Sequence, residues 1–454
     1  MAPSGTGGYR LELVLMHTSS STGRVSAVWV YLSSAALSML GNSIAGIVWP
    51  WLVLERTGNP AAAGIVAAAI AVPSLVFAYF GGNLVDSLGR KPVSVISDII
   101  SGLSVVAVIA VDMVFGLTLS WFIVIGILGA VGDIPGMSAR AALVGDVAET
   151  SGKKVAQISG WNQALSGVSF LVGPAAAGVL MTAQPIEQVL WITAGCSLLA
   201  AALTACLRLQ KAGAGVLTEG QDAPAQPGAD GQVPASSPEA PTEDPLKGLA
   251  GWKKALGYPV IRLLALDSLL SMALVMPYLM VLLPAHFQGI DQPGLYGASM
   301  SAFAVGMMVT SMVAGKIVPF PRRAWVVGMV FYTLAFFGMA LLETSWLAIV
   351  GMGISGLGGG IMNPLQTLLV IEGVPEQIRG RSFSIFMAIS QVAGPIGLVA
   401  TSAVLAFVTI YQVAWVLAGL WLLAAIYLVV RGLQLLPARS AESVEKGAPA
   451  PVAE

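Results

Sequence analysis

Twelve apolar runs, each near the length of a bilayer crossing, constrain this chain more than any other feature. They lie at roughly 26–50, 60–83, 92–116, 119–146, 156–182 and 188–208, then at 260–285, 294–318, 323–343, 346–371, 382–408 and 411–436. A helix needs about 20 apolar residues to cross hydrocarbon, where every backbone polar group must be satisfied inside the segment. Charged residues make up only 10% of the chain, against roughly 25% in soluble domains. The runs therefore lack the polar surface that folding in water demands. The pattern predicts an all-α polytopic membrane protein whose first partner is the lipid bilayer.

The runs fall into two sets of six. Residues 209–255 between them hold Glu219, Asp222, Asp230, Glu239, Glu243 and Asp244 among Pro, Gly, Ala and Ser. Such a composition cannot bury enough surface to fold, so a disordered acidic linker is expected. The expected division is an N-terminal tail at 1–24, a six-helix bundle at 25–208, the linker, a second six-helix bundle at 256–436 and a C-terminal tail at 437–454.

Composition also excludes several functions. A net charge of −1 gives no reason to expect nucleic acid. Cys196 and Cys206 share one apolar run, and His17 and His286 are far apart, so no metal, haem or other cofactor is expected. No Ser/His/Asp or Cys/His cluster suggests an enzyme. Residues 1–24 lack an apolar core followed by a small-residue cleavage site, so no cleavable signal peptide is expected. A monomer is expected.

Lys and Arg give an orientation. With residue 1 in the cytoplasm, Arg90, Lys91, Lys153, Lys154, Arg208, Lys211, Lys253, Lys254, Lys316, Arg322, Arg323, Arg379, Arg381, Arg431, Arg439 and Lys446 fall inside, and Arg56 falls outside. Both termini and the linker are thus expected in the cytoplasm of a cell whose plasma membrane holds the protein.

The halves repeat. Leu171-Val172-Gly173-Pro174 returns as Val392-Ala393-Gly394-Pro395, and Asp133-Ile134-Pro135 as Met362-Asn363-Pro364. Gly315-Lys316-Ile317-Val318-Pro319-Phe320-Pro321-Arg322-Arg323 is an eroded copy of Gly82-Asn83-Leu84-Val85-Asp86-Ser87-Leu88-Gly89-Arg90-Lys91. Repeated bundles of this kind are a transporter architecture, with substrate bound near the midplane between them.

That last stretch, G-x-L-x-D-x-x-G-R-K, reads as a short charged turn whose glycines permit reversal. It resembles the loop 2–3 signature of the major facilitator superfamily. The resemblance implies that Asp86 caps the start of helix 11 and that Arg90 pairs with an acid ending helix 4, here Asp146. With Gly82, Gly89 and Lys91 these residues would form a gating cluster that releases in one conformation. Without the resemblance, the stretch is a turn that satisfies the distribution of basic residues.

Ser169-Phe170-Leu171-Val172-Gly173-Pro174-Ala175-Ala176-Ala177-Gly178 resembles the superfamily's antiporter motif on helix 5. The resemblance assigns Ser169, Gly173, Pro174 and Gly178 to sealing the closed pathway. An ordinary Gly/Pro packing site in a membrane helix is the alternative.

Charges inside the membrane are costly unless paired or used. At about 1.5 Å of rise per residue, Asp98 lies roughly 10 Å beyond Arg90 and Lys91, and Arg140 roughly 9 Å before Asp146. The two share a depth on consecutive helices, so a buried ion pair is expected; the alternative is that each faces a wet vestibule alone. Asp133 lies roughly 20 Å from Asp146, close to mid-membrane. Desolvation disfavours the charged form of a lone carboxylate, which suits a group that binds and releases a proton. Asp133 is the first candidate for proton coupling and Asp267 the second; a helix–helix contact is the alternative for both. Helix 4 lacks R-x-x-Q-G, and Asn42 stands where related exporters often carry an acid, so coupling through helix 1 is not expected.

Asn42, Trp49, Gln163, Tyr278, Asn363, Gln366 and Gln391 are the candidate cavity-lining groups. Met272, Met276, Met280, Met300, Met307, Met308 and Met312 concentrate on helices 7 and 8, and flexible thioethers suit varied apolar ligands. Lipid-facing or core packing is the alternative. With no basic residue near the midplane, a neutral or cationic amphiphile is expected rather than a sugar phosphate.

Leu52-Val53-Leu54-Glu55-Arg56-Thr57-Gly58, Ser138-Ala139-Arg140 and Asn162-Gln163-Ala164-Leu165 extend the resemblance over most of residues 26–435. The chain resembles the drug:proton antiporter branch, which includes Tap-like and macrolide-type efflux proteins. The resemblance implies a proton-coupled exporter of small amphiphilic compounds. A nutrient importer or symporter of the same fold, or a transporter-like receptor or lipid-handling protein, remains the alternative.

Overall fold

The computed structural model describes residues 8–209, 253 and 255–439, without side chains at 8–26, 75, 78–83, 376, 377 and 381. The expected linker falls almost wholly outside the described residues, as do 1–7 and 440–454. The helices that follow one another are α1 (Gly8–Thr57), α2 (Pro60–Leu88), α3 (Arg90–Phe115), α4 (Leu119–Ser151), α5 (Val155–Ala183) and α6 (Ile186–Cys206). After the linker come α7 (Pro259–Gly289), α8 (Pro293–Ile317), α9 (Pro321–Ala340), α10 (Ser345–Gly373), α11 (Glu376–Val404) and α12 (Ile410–Leu435).

Among the described residues, eleven of these are long and apolar enough to cross a membrane. In α2 the described apolar piece, Pro60–Ser74, is shorter than a crossing. The chain is a multi-pass, all-α membrane protein. α1 begins at Gly8, inside the stretch read as a tail. Arg10, Leu11, Glu12, Leu13, Leu15 and Met16 are good helix formers, which accounts for the extension.

Local chemistry sets the helix ends. Asn59 accepts the Ala61 N–H at 2.9 Å, with Pro60 at the first helical position of α2. Thr409 and Gln412 form a reciprocal capping box at the start of α12. Between α2 and α3 the expected turn is shorter than the sequence suggests: Gly82–Leu88 is still helix. The reversal is made by Gly89 alone, at φ 89° and ψ 153°, where a side chain would be strained.

Pro277 interrupts α7, and the next turn, Tyr278–Leu282, widens to a π-helix. A proline at 277 leaves the Ala273 carbonyl without its helical N–H. Gly397 of α11 lies against that carbonyl with no room for a Cβ.

Within each half the helices pack in close pairs: α3 on α4 and α6, α1 on α5 and α6, α8 and α9 on α10, α7 on α11. Across the halves, α5 packs on α8 and α2 on α11. The second half has an aromatic core. Phe336 stacks on Trp421 at 4.9 Å, and Trp325 Nε1 donates to the Leu428 carbonyl at 3.0 Å.

Candidate functional site

α3 presents a polar stripe to α4. Ser94, Ser97, Asp98, Ser101 and Ser104 are all buried, and their spacing places them on one helix face. The facing positions of α4 are small. A Cβ at Gly136 would meet Ser97 Cβ at 2.6 Å, one at Gly132 the Ser97 carbonyl at 3.0 Å, and one at Gly129 Ser104 Oγ at 3.2 Å. Small residues let the two backbones approach, so the serines and acids of the pair meet directly.

Toward the Arg90 end of this seam Arg140 Nη2 lies 2.7 Å from Asp98 Oδ1, with side chains 8% and 5% exposed. Ser38 of α1 donates to the same Asp98 oxygen at 2.9 Å. Tyr31 donates to the Arg140 carbonyl at 3.1 Å. Asp98 Oδ2 and Arg140 Nε are buried without a partner. The pair is held by three helices but is not fully satisfied.

Two turns away on α4, Asp133 accepts a hydrogen bond from Ser101 and shares a cavity wall with Asn42. Asp133 is also within electrostatic range of Asp98 and Arg140. Five polar groups on α1, α3 and α4 thus form one chain: Asn42 and Ser101 around Asp133, then Asp98 and Arg140.

Two cavities flank this chain. One of about 360 Å³ is lined by Asn42, Trp49, Ser101, Ser104, Asp133 and Met280 among others, with no basic side chain among the described residues. Trp49 meets Phe122 edge-on at 5.8 Å, and its Nε1 is buried without a partner. The other, of about 560 Å³, is lined by Asn42, Arg140, Asn162, Gln163, Tyr296 and Met300 among others. Asn42, Gly46 and Met280 belong to both.

The second half contributes less than expected. Tyr278 is not a lining group: it is fully buried, donates to the Ala414 carbonyl at 2.6 Å and packs on Phe336 at 5.6 Å. The π turn after Pro277 is what rotates it into the core. Asp267 is fully buried, lines neither cavity, and accepts from Gln366 at 2.8 Å and Ser271 at 3.4 Å. Gln366 is thereby engaged, and Asn363 and Gln391 are exposed and line neither cavity. Met280 and Met300 reach the cavities, Met276 packs against Gly394, and Met308 and Met312 are exposed, Met312 by 82%, and line neither cavity.

At one end of the first half, Arg90 Nη1 contacts Asp146 Oδ1 at 2.5 Å. Lys91 Nζ donates to the Ala205 and Leu207 carbonyls at 2.8 and 2.9 Å, capping the end of α6. Asp86 is exposed and forms no ion pair among the described side chains; two first-turn side chains of α11, at 376 and 377, lie outside them. At the opposite end Arg56 joins three carboxylates: Asp112 at 2.7 Å, Glu187 at 3.0 Å and Glu55 at 3.4 Å. None of the candidate site residues named from the sequence belongs to this cluster. Its signal was the one Arg on that side, with an acid ending or starting each neighbouring span.

The α5 motif sits where α5 touches two helices. A Cβ at Gly173 has no room beside Ser43 of α1. A Cβ at Gly178 would meet the Pro293 carbonyl at 2.8 Å, and one at Gly297 would meet Gly178 Cα at 3.0 Å. Ser301 of α8 donates to the Leu171 carbonyl at 2.7 Å. With the bond from Gln288 to the Trp51 carbonyl at 3.4 Å, this is one of two hydrogen bonds joining the halves among the described residues. Gln288, Gly178 and Pro293 all lie toward the Arg56 end.

The family model described as Major Facilitator Superfamily matches residues 31–398, and again 289–454. The multidrug efflux pump Tap of Mycolicibacterium fortuitum is 30% identical over 377 residues, 81% of this chain and 86% of that protein. Macrolide efflux protein A of Streptococcus pyogenes is 24% identical, covering 80% and 85%. The solved nucleoside transporter NupG shares the fold at a TM-score of 0.68 and 14% identity, over 88% of this chain and 98% of that one. The chain belongs to the Major Facilitator Superfamily and is a secondary transporter, not an enzyme, that moves small molecules by alternating access.

Proposed function

We propose that the protein exports small amphiphilic compounds, neutral or cationic, in exchange for protons. The observation that carries this reading is Asp133, a carboxyl group on a cavity lined by no basic side chain among the described residues. Its neighbours, the Ser101 hydroxyl that donates to it and the Asn42 carboxamide on the same cavity, can both donate and accept, so they suit either protonation state of the acid. The apolar body of a substrate would lie against Trp49, Ile125 and Met280, and a cationic group would approach Asp133. Substrate and proton would then compete for one carboxylate, which is the simplest way to couple their opposite movements.

The names of the relatives favour export over import. In this reading the twelve helices cross the membrane as two pseudo-symmetric six-helix halves, with the termini and the acidic linker cytoplasmic and the chain working as a monomer. The halves touch through Gly178, Pro293 and Gly297 near the Arg56 end, which supports an inward-facing state. Arg90 with Asp146, and Asp86 on the same turn, would tighten the other end when the protein turns outward. Asp267 would serve as a second acid or as a structural contact to Gln366.

Transport by the purified protein in proteoliposomes, across a panel of amphiphiles with and without an imposed pH gradient, tests the reading. Gradient-accelerated efflux is expected. Gradient-driven uptake of a single nutrient, or no flux of any compound, would replace it.

A further inference from the structure

A groove of about 310 Å³ opens between the first turn of α7 and the last turns of α12, apart from both cavities above. Pro259, Arg262 and Leu266 form one wall, and Tyr427, Arg431 and Leu435 the other. Both arginines are exposed. In the first half Arg56, Arg90 and Arg140 each find a carboxylate. Among the described residues, neither Arg262 nor Arg431 does. Arg431 reaches only its own helix: Nε to Tyr427 Oη at 3.5 Å, Nη1 to Gln434 Oε1 at 3.3 Å, and the guanidinium 5.9 Å from the Tyr427 ring. No side-chain hydrogen bond of Arg262 is found among the described residues.

The start of α7 adds to this charge. Tyr258 caps it without a side-chain bond, and its first turn holds no acid. Unpaired N–H groups there carry partial positive charge. Two guanidinium groups and a helix N-terminus therefore share one mouth, and among the described residues no carboxylate pairs with either arginine. The walls below the mouth are apolar. Arg262 sits about 4.5 Å from the start of its helix, and Arg431 about 6 Å from the end of its own, by helical rise. That is the depth of the hydrocarbon–headgroup boundary for a bilayer-crossing helix. A soluble anion would use the charged mouth and leave the apolar walls bare; a lipid would use both.

We propose that this groove holds the phosphate of an anionic phospholipid, clamped by Arg262 and Arg431, with an acyl chain lying along Leu266. Basic pockets between membrane helices at a headgroup level recognise such lipids, each basic side chain contributing about a fivefold factor.

The test is native mass spectrometry of the full-length protein in detergent, titrated with phosphatidylglycerol, with phosphatidylcholine, and with phosphatidylglycerol plus inorganic phosphate. The parent should retain phosphatidylglycerol in preference to phosphatidylcholine. The double variant Arg262→Gln/Arg431→Gln should bind it about thirtyfold more weakly, while Arg262→Lys/Arg431→Lys stays within a few-fold of the parent. Inorganic phosphate should not displace the lipid. Equal retention by parent and the double Gln variant would overturn the proposal. So would displacement by inorganic phosphate, which would make this a soluble-anion site. If the double variant does not fold, Arg431→Gln alone should lose about fivefold, and no loss overturns the assignment.

Discussion

Arg140 of α4 and Asp98 of α3 face each other at 2.7 Å inside the first half, and each keeps one buried polar atom without a partner. Taking one member away leaves an uncompensated buried charge, which typically costs about 3–5 kcal/mol. Asp98→Asn and Arg140→Gln should each depress melting temperature and transport strongly. The double variant should recover much of the loss, because no uncompensated charge then remains buried. A thermal-shift double-mutant cycle measures the coupling. Additive losses would show that the pair contributes nothing jointly.

Asp133 should separate coupling from binding. Asp133→Asn keeps the shape and the Ser101 contact but holds the side chain neutral at every pH. The variant is expected to bind substrate and to exchange it across proteoliposome membranes, while pH-driven accumulation falls to background. Parental gradient-driven transport by Asp133→Asn would take this acid out of the mechanism and move attention to Asp267.

The Arg90–Asp146 contact at 2.5 Å is half-exposed on the arginine side, so its static stabilisation is small. Its expected role is to bias one conformation over another, which requires no contact with substrate. Arg90→Ala should leave expression and melting temperature near parental values and lower the transport rate several-fold. Asp146→Asn should match it, since both remove one interaction. Asp86→Asn is also expected to lower transport, by loosening the closure formed when the other end seals. Parental rates in all three would reduce the stretch to a marker of topology.

Gly178 faces backbone, which cannot step aside. A Cβ there would come within 2.8 Å of the Pro293 carbonyl and 3.1 Å of Gly294 Cα. Overpacking of this kind costs about 1–3 kcal/mol. Gly178→Val should therefore disfavour the observed closure at the Arg56 end. In a background without Cys196 and Cys206, a reporter cysteine at Gly46, which lines both cavities, should become more reactive from that end. Unchanged reactivity with parental transport would show that the α5–α8 seam is not part of the gate.

Much of the architecture was legible in the residues alone. Apolar run length sets the spans, the distribution of Lys and Arg predicts an orientation, and the G-x-L-x-D-x-x-G-R-K stretch carries the family resemblance. Equal depth on consecutive helices was enough to bring Asp98 and Arg140 together on paper. These features are local, or depend only on distance along a helix, and helical rise converts sequence into depth directly.

Rotation about each helix axis was settled only by the tertiary structure. In a membrane, lipid and protein interior are both apolar, so the pattern along a span says little about which face meets a neighbour. Tyr278, expected from the sequence to line the cavity, lies in the core, where one proline and one widened turn re-aim the helix. The serine stripe of α3 becomes a polar seam only because Gly129, Gly132 and Gly136 of α4 face it. Arg56 gains its three carboxylates only because the ends of α1, α3 and α6 converge. The sequence determined how deep each side chain lies; the packing of helix against helix decided what it touches there.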